Sequence, residues 1–258
     1  MTNPPKSLKV FVFDIETAPL LAYIWRPYDD YVTHERLVND SFMLSWAGKW
    51  LEKKRIYSDV LNEQEAQTQH DARIVTSLAE MLREADIIVA HNVDRFDLPM
   101  LNNRLLSLGL EPLGPIQTID TLKLAKRSFR LAYNKLDYLG EFLGLGKKIK
   151  TDFALWQAAY HGDPGALKRM QKYNKRDVTL LEDVFMALRP YVGGLPRMVE
   201  PTEKDQRACP TCGSDGLVRR GVYRTNAGTY QKYHCKSCLR YCSERKSIKE
   251  TGLAVRPR

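Results

Sequence analysis

Residues 8–17, Leu-Lys-Val-Phe-Val-Phe-Asp-Ile-Glu-Thr (LKVFVFDIET), set two carboxylates where an apolar run gives out. Residues 8–13 read as a buried strand, and Asp14 and Glu16 follow one residue apart. Residues i and i+2 of a strand face the same way, so both acids project together. Two like charges buried side by side are costly unless something positive joins them, and a divalent metal would be enough.

Beyond this strand, an irregular segment rich in aromatics (Tyr23, Trp25, Tyr28, Tyr31) leads to two apolar stretches, Phe42–Trp46 and Arg55–Val60, which read as its partners. The segment suits either stacking on a single nucleic-acid strand or a small satellite core. Residues 71–85 repeat apolar positions at helical spacing, and IIVAHN supplies a short, fully apolar strand. A second helical pattern runs from Leu98 to Leu108 and stops at Gly109; Ile116–Ile119 is a short strand. From there to residue 189 the chain is mostly helical. Pro164 opens one long amphipathic helix through Leu167, Met170, Tyr173, Val178, Leu181, Val184, Phe185 and Leu188. Strands, then alternation, then helices predict an α/β domain with a mixed sheet flanked by helices.

The formal charge of +9 is unevenly spread. Residues 190–258 hold 14 Lys/Arg against 6 Asp/Glu, leaving 26 against 25 for residues 1–189. Such a basic end favours a polyanion partner. No apolar run reaches the roughly 18 residues needed to cross a bilayer, and the start MTNPPKSLK lacks the apolar centre of a secretory signal. These features predict an intracellular protein, cytoplasmic or nucleoid-associated, with no membrane partner.

Further acids lie in HNVDRFDLPML and YNKRDV. Asp97 precedes a helix, where a carboxylate can cap the first turn. Tyr173 and Asp177 are four residues apart on one helix and share a face. Asp177 sits amid Val178, Leu180 and Leu181, an unusual setting for a solvated acid.

The three stretches FDIET, HNVDRFDLPML and YNKRDVTLL resemble, in order, the three motifs of the DEDD 3'-to-5' exonucleases, which have an RNase H-like fold. They are most similar to the proofreading domains of family B DNA polymerases. Asn92, Phe96 and Asp97 match the second motif, N-x-x-x-F-D. Tyr173 and Asp177 match the tyrosine form of the third, Lys172 standing where the other branch needs histidine.

The resemblance implies that Asp14, Glu16, Asp97 and Asp177 hold two Mg²⁺ or Mn²⁺ ions, which prefer oxygen ligands, and that Tyr173 orients the attacking water. Two metals about 3.5–4 Å apart can activate a water and stabilise the leaving oxygen. A phenol with a pKa near 10 is a poor base at neutral pH, so Tyr173 positions rather than deprotonates. Thr17, Asn92 and Phe96 match positions that approach the terminal nucleotide, although Thr17 and Asn92 also suit local backbone caps. His91 reads as a packed histidine and Asp120 as the cap of the following helix.

All five cysteines fall within residues 209–242. Cys209-Pro-Thr-Cys212 and Cys235-Lys-Ser-Cys238 have the spacing of two metal knuckles joined by a hairpin, which fits one structural Zn²⁺ on four thiolates. Cys242 is the spare, with His234 an outside candidate. The stretch is similar to zinc ribbons of transposases and other DNA-handling proteins, with strands either side of Asn226-Ala227-Gly228. Arg219, Arg220, Arg224, Lys232, Lys236 and Arg240, interleaved with tyrosines, suit phosphate contacts.

The expected organisation is an RNase H-like exonuclease domain (residues 1–189), a proline- and glycine-containing linker (190–206), a zinc ribbon (207–245) and a basic tail (246–258). The expected activity is metal-dependent 3'-to-5' hydrolysis of single-stranded DNA or DNA 3' ends, alone or with a replication or repair protein. A ribonuclease or endonuclease on the same fold, or a non-catalytic nucleic-acid-binding factor, are the alternatives.

Overall fold

The computed structural model describes residues 7–28, 31–200, 208–244 and 246–248. Residues 201–207 and 249–258, which include parts of the expected linker and tail, lie outside the described set. The chain forms two compact units: Lys9–Phe185, and the described residues up to Leu8 with those from Met186 onward.

The first unit carries β1 (Val10–Thr17), β2 (Leu21–Ala22), β3 (Leu37–Asn39), β4 (Met43–Trp50), β5 (Ile56–Val60), α1 (Glu63–Gln67), α2 (Ala72–Arg83) and β6 (Ile87–Ala90). It continues with α3 (Asp97–Ser107), β7 (Gln117–Asp120), α4 (Thr121–Ser128), α5 (Leu136–Phe142), α6 (Phe153–Tyr160) and α7 (Pro164–Leu188), whose last residues belong to the second unit.

Five strands form one mixed sheet in the order β5-β4-β1-β6-β7. β1 pairs antiparallel with β4 and parallel with β6, which explains its run of consecutive buried residues, Val10 to Phe13. Contact with β4 is so close at Gly48 that a Cβ there would lie 2.4 Å from the Phe11 ring. On the sheet, α2 buries Ile74, Val75, Leu78, Ala79 and Leu82. Asp71, at its start, accepts from the Met43 amide (2.8 Å) and from both arms of Arg104 (2.8 and 2.7 Å), tying β4, α2 and α3 together.

β1 runs four residues past the predicted strand, because its two neighbours end at different points. Pairing with β6 reaches Val12↔Val89 and then stops, whereas β4 continues alongside through Asp14↔Ala47 and Glu16↔Ser45. The register then shifts at Glu16/Thr17. The two acids therefore lie within the strand, on the stretch past its last pair with β6. In the described part of the aromatic segment after β1, Tyr23, Trp25, Tyr28 and Tyr31 are exposed, which speaks against the satellite-core reading.

In the second unit, β8 (Leu217–Thr225), β9 (Gly228–Cys235) and β10 (Tyr241–Ser243) make an antiparallel sheet ordered β10-β9-β8. The hairpin lies where expected, but its turn is the two residues Asn226-Ala227, since Gly228 already belongs to β9 and pairs with Thr225. The described part of the expected linker is anchored within this unit. The Met198 amide donates to the Pro210 carbonyl (2.9 Å), Leu8 to Met198 (3.0 Å), and Ser7 bridges to Val199. Proline and glycine content identifies such a stretch as irregular, but not as untethered. Among the described residues, no helix is long and apolar enough to cross a membrane.

Candidate metal centres

Asp14 and Glu16 reach the first site from β1, and Asp177 comes from α7; one carboxylate oxygen of each lies within 4.8 Å of the others. Asp97, the first residue of α3, is 1% exposed, and its Oδ1 has no hydrogen-bond partner. Its side chain is not the helix cap, since the N-cap position belongs to Phe96. The Oδ1 of Asp177 is likewise buried and without a partner.

Burial and mutual repulsion act together on these groups. Burial, then the charge of Asp177, pushes Asp14 up to about 7, against the opposing pull of Lys148 and the Asn174 hydrogen bond. Burial followed by Asp14 and Asp177 holds Glu16 well above the usual carboxylate range. Asp97 is raised by burial and by Asp14, offset in part by the amides of Asp97 itself and Ile15. Ile15 belongs to the part of β1 that β6 no longer accompanies. This electrostatic link joins Asp97 to the acids of β1, although it lies outside their tight cluster.

Two residues absent from the sequence reading complete the site. Lys148, from the segment between α5 and α6, places Nζ 2.5 Å from Asp177 Oδ2 and 3.3 Å from the Tyr173 hydroxyl. Asn174, fully buried on α7, donates to Asp14 Oδ2 at 2.7 Å. A lysine within Lys147-Lys148-Ile149-Lys150 carries no signal that separates it from its neighbours. Asn174, directly after Tyr173, could have been found by asking which residues share a helical face with Asp177 at i−3.

Tyr173 is buried beside Trp156, and burial, then Asp177, raises its hydroxyl further above its ordinary value. Thr17 sits at the register shift of β1, half-buried. Asn92 occupies the left-handed region (φ 73°) in the turn before α3, its amide donating to Asp120 Oδ1 (3.1 Å). Phe96 is 41% exposed beside buried Asp97. Asp120 caps α4 as expected, accepting from the amides of Leu122 and Lys123. His91 is hydrogen-bonded to Thr121 at 2.9 Å, in keeping with a packed histidine, and burial lowers it to about 4.

The donors are oxygens only, they come from three elements, two of the oxygens lack partners, and like charges are crowded together; this fits hard divalent cations. The acidic cluster could bind metal.

At the second site, Cys209, Cys212, Cys235 and Cys238 bring four sulfurs within 4.8 Å. The pairs Cys209–Cys238 and Cys212–Cys235 are each 3.6 Å apart. Four thiolates about 2.3 Å from one centre stand about 3.8 Å from each other in a tetrahedron, so the spacing fits Zn²⁺. Each knuckle is closed by backbone bonds, Gly213 to Cys209 and Leu239 to Cys235, both at 2.9 Å. Burial pushes the Cys235 thiol up, but the amides of Cys238 and Ser237 outweigh it and bring it to about 7. The cysteines themselves are the buried core of this module, with Leu217 packed on them.

Cys242 stays outside the cluster, on β10, and the His234 ring packs on Tyr241 instead. Arg219, Arg220 and Arg224 are exposed, and Lys232 lies over the Tyr241 ring. Arg240 differs from the expected surface cation. It is buried and its Nη2 donates to the Val192 carbonyl, an interior role that basic composition does not reveal.

A sequence-family model described as the RNase H superfamily matches residues 39–189. The chain belongs to the RNase H superfamily. That match covers β4 through α7, and β1 completes the sheet from outside it. Among solved structures, this RNase H superfamily chain is similar to the family B DNA polymerase from the hyperthermophilic archaeon Pyrobaculum calidifontis. The TM-score is 0.54 at 19% identity, over 74% of this chain and 26% of the polymerase chain. That likeness concerns the fold. No curated protein matches the chain.

Proposed function

We propose that the first unit is a metal-dependent 3'-to-5' exonuclease, acting on single-stranded DNA or DNA 3' ends. The observation that carries this reading is the meeting of three carboxylates, from β1 and α7, beside the buried, partnerless oxygen of Asp97. Such a cluster is costly as an empty ionised site and suited to divalent cations. Membership in the RNase H superfamily and a polymerase structural neighbour support nuclease chemistry on nucleic acid.

In this reading, Asp14, Glu16, Asp97 and Asp177 hold two Mg²⁺ or Mn²⁺ ions. Bound there, such ions supply acidification of a water and neutralisation of charge on the leaving 3' oxygen. The chain's own groups do the positioning. Tyr173, protonated throughout the neutral range, presents an O–H that orients the attacking water, and does not act as a base. Lys148 holds that hydroxyl and the Asp177 carboxylate together. Asn174 fixes the Asp14 carboxylate. Exposed Phe96, with Thr17 and Asn92, would receive the terminal nucleotide.

The cysteine module, loaded with one Zn²⁺, would hold the strand through Arg219, Arg220, Arg224 and Lys232. Phosphate contacts of this type give affinity that falls with salt and carry no base specificity. A tethered binding module raises local substrate concentration, so its loss should weaken binding more than it slows saturated turnover. A replication or repair protein would be a fitting partner.

The test is a time course in Mg²⁺ or Mn²⁺ on matched single strands of DNA and RNA, labelled at the 5' end in one set and the 3' end in the other. A descending ladder from the 5' label with mononucleotides from the 3' label establishes direction, and the preferred polymer identifies the substrate. Asp14→Ala and Glu16→Ala should lose cleavage while retaining binding. Binding without cleavage by the wild type, in either metal and on either polymer, would overturn the enzymatic reading.

A further inference from the structure

One cavity of about 450 Å³ in the first unit lies beside Tyr173, and neither metal centre accounts for it. Its size suits a small organic ligand. Three cations line it: Lys150 from the segment before α6, and Arg169 and Lys172 from α7. All three are exposed, and none takes a hydrogen bond or ion pair among the described residues. The lining acid, Asp152, is engaged in capping α6, where it accepts from the Leu155 amide at 3.2 Å. Apolar surface comes from Ile149, Leu155 and Tyr173.

The fold gains nothing from this grouping. Arg169 and Lys172 are three residues apart and so are neighbours on one helix face, where like charges repel. Lys148, by contrast, is committed to Asp177 and Tyr173. The cavity and the acidic cluster meet at Tyr173, which lines the one and holds its hydroxyl beside Asp177 and Lys148 at the other. Three unpaired cations above an apolar wall match a nucleotide unit: an anionic phosphate for the charges and a base or sugar for the wall.

We propose that the cavity lined by Lys150, Arg169 and Lys172 is a nucleotide subsite that grips a phosphate next to the acidic cluster. The nucleotide can be one unit of the substrate strand or a free mononucleotide. The strand assignment rests on the nuclease reading; the phosphate chemistry of the cavity stands by itself.

The experiment titrates the full-length, zinc-loaded protein into a 5'-fluorescein-labelled 12-nucleotide single strand by anisotropy, with Mg²⁺ and Mn²⁺ left out and no chelator added, so that no turnover intervenes and the zinc stays bound. The Arg169→Glu/Lys172→Glu variant is expected to bind at least tenfold more weakly. Its log–log salt dependence should be shallower by about 0.7, the value for the one single-strand phosphate that the subsite grips. Arg169→Gln/Lys172→Gln should show the same reduction in slope, which guards against misfolding of the charge-reversed protein. Lys168→Glu, an exposed neighbour on α7 outside the cavity, should leave the affinity within about twofold.

A second arm replaces the strand with a nucleoside 5'-monophosphate, followed by calorimetry. Variant-sensitive binding of the strand assigns the subsite to polymer, and variant-sensitive binding of the mononucleotide alone assigns it to the free nucleotide. Unchanged binding of both by the double variants overturns the proposal. Cleavage assays of the wild type decide the nuclease reading separately. A wild type that never cuts sinks that reading without touching the subsite, and one that cuts while the double variants bind normally sinks the subsite alone.

Discussion

Asn174 on α7 donates through Nδ2 to Asp14 Oδ2 on β1 at 2.7 Å and to the Asp14 carbonyl at 3.2 Å. One buried amide thus holds both the carboxylate and the backbone that carries it, and fixes the distance between the two elements supplying the acidic cluster.

Asn174→Ala should therefore destabilise the protein by about 1–3 kcal/mol, the cost of leaving a buried acceptor without its donor. Urea unfolding in EDTA measures it. Asn174→Asp, which adds a further acid to the cluster, should destabilise more at pH 8 than at pH 5. Equal losses at the two pH values would mean that packing, not charge, dominates this position.

The metal-free protein should lose stability as pH rises. Asp14 is raised from the ordinary carboxyl value near 4 to about 7 by burial and then Asp177. A folded-state pKa above the unfolded one means that the folded form binds the proton more tightly. The resulting stability is fully present below about pH 4 and is lost as pH climbs through about 7. In EDTA, the melting temperature should fall across this window, by about 2–4 °C for each kcal/mol. Asp14→Asn should flatten the profile, and Mn²⁺ should restore the wild type most strongly at pH 8. A profile identical in Asp14→Asn would place the titration elsewhere.

Lys148 neutralises Asp177 across 2.5 Å, with side-chain exposures of 27% and 0%. Lys148→Met should cost about 2–3 kcal/mol in EDTA, because it leaves a buried carboxylate without its cation. Saturating Mn²⁺ should narrow the gap between variant and wild type, since bound metal takes over the compensating charge. Paired denaturation curves with and without metal check this; a gap that metal leaves unchanged would make Lys148 a packing residue only.

The cysteine module should be folded only with metal, because the sulfurs themselves form its buried core. Cys209→Ser and Cys238→Ser should lose the single equivalent of zinc detected by elemental analysis. Cys242→Ser, outside the cluster, should keep it. Structural zinc contributes about 10–16 kcal/mol of binding free energy in small modules, so chelation should unfold this one outright. Protease cleavage within residues 209–243 on adding a chelator would report it.

Much of the order of elements, and the residue types of both candidate metal centres, were already written in the linear chain. Consecutive apolar residues marked β1 and β6 as buried strands, the period from Leu167 to Leu188 marked α7, and paired C-x-x-C knuckles marked the cysteine centre. Asp14, Glu16, Tyr173 and Asp177 were legible because spacing along a single strand or helix fixes which side chains share a face. What crosses between elements was settled by folding alone. Lys148 and Asn174 joined the site, Arg169 and Lys172 came to line a cavity with Lys150, and Arg240 turned inward. Asp14 and Glu16 came to meet Asp177 on the stretch of β1 past its last pair with β6. Periodicity encodes one element's own faces, while the meeting of residues 14, 148 and 174 depends on sheet order and helix placement, which no local pattern records.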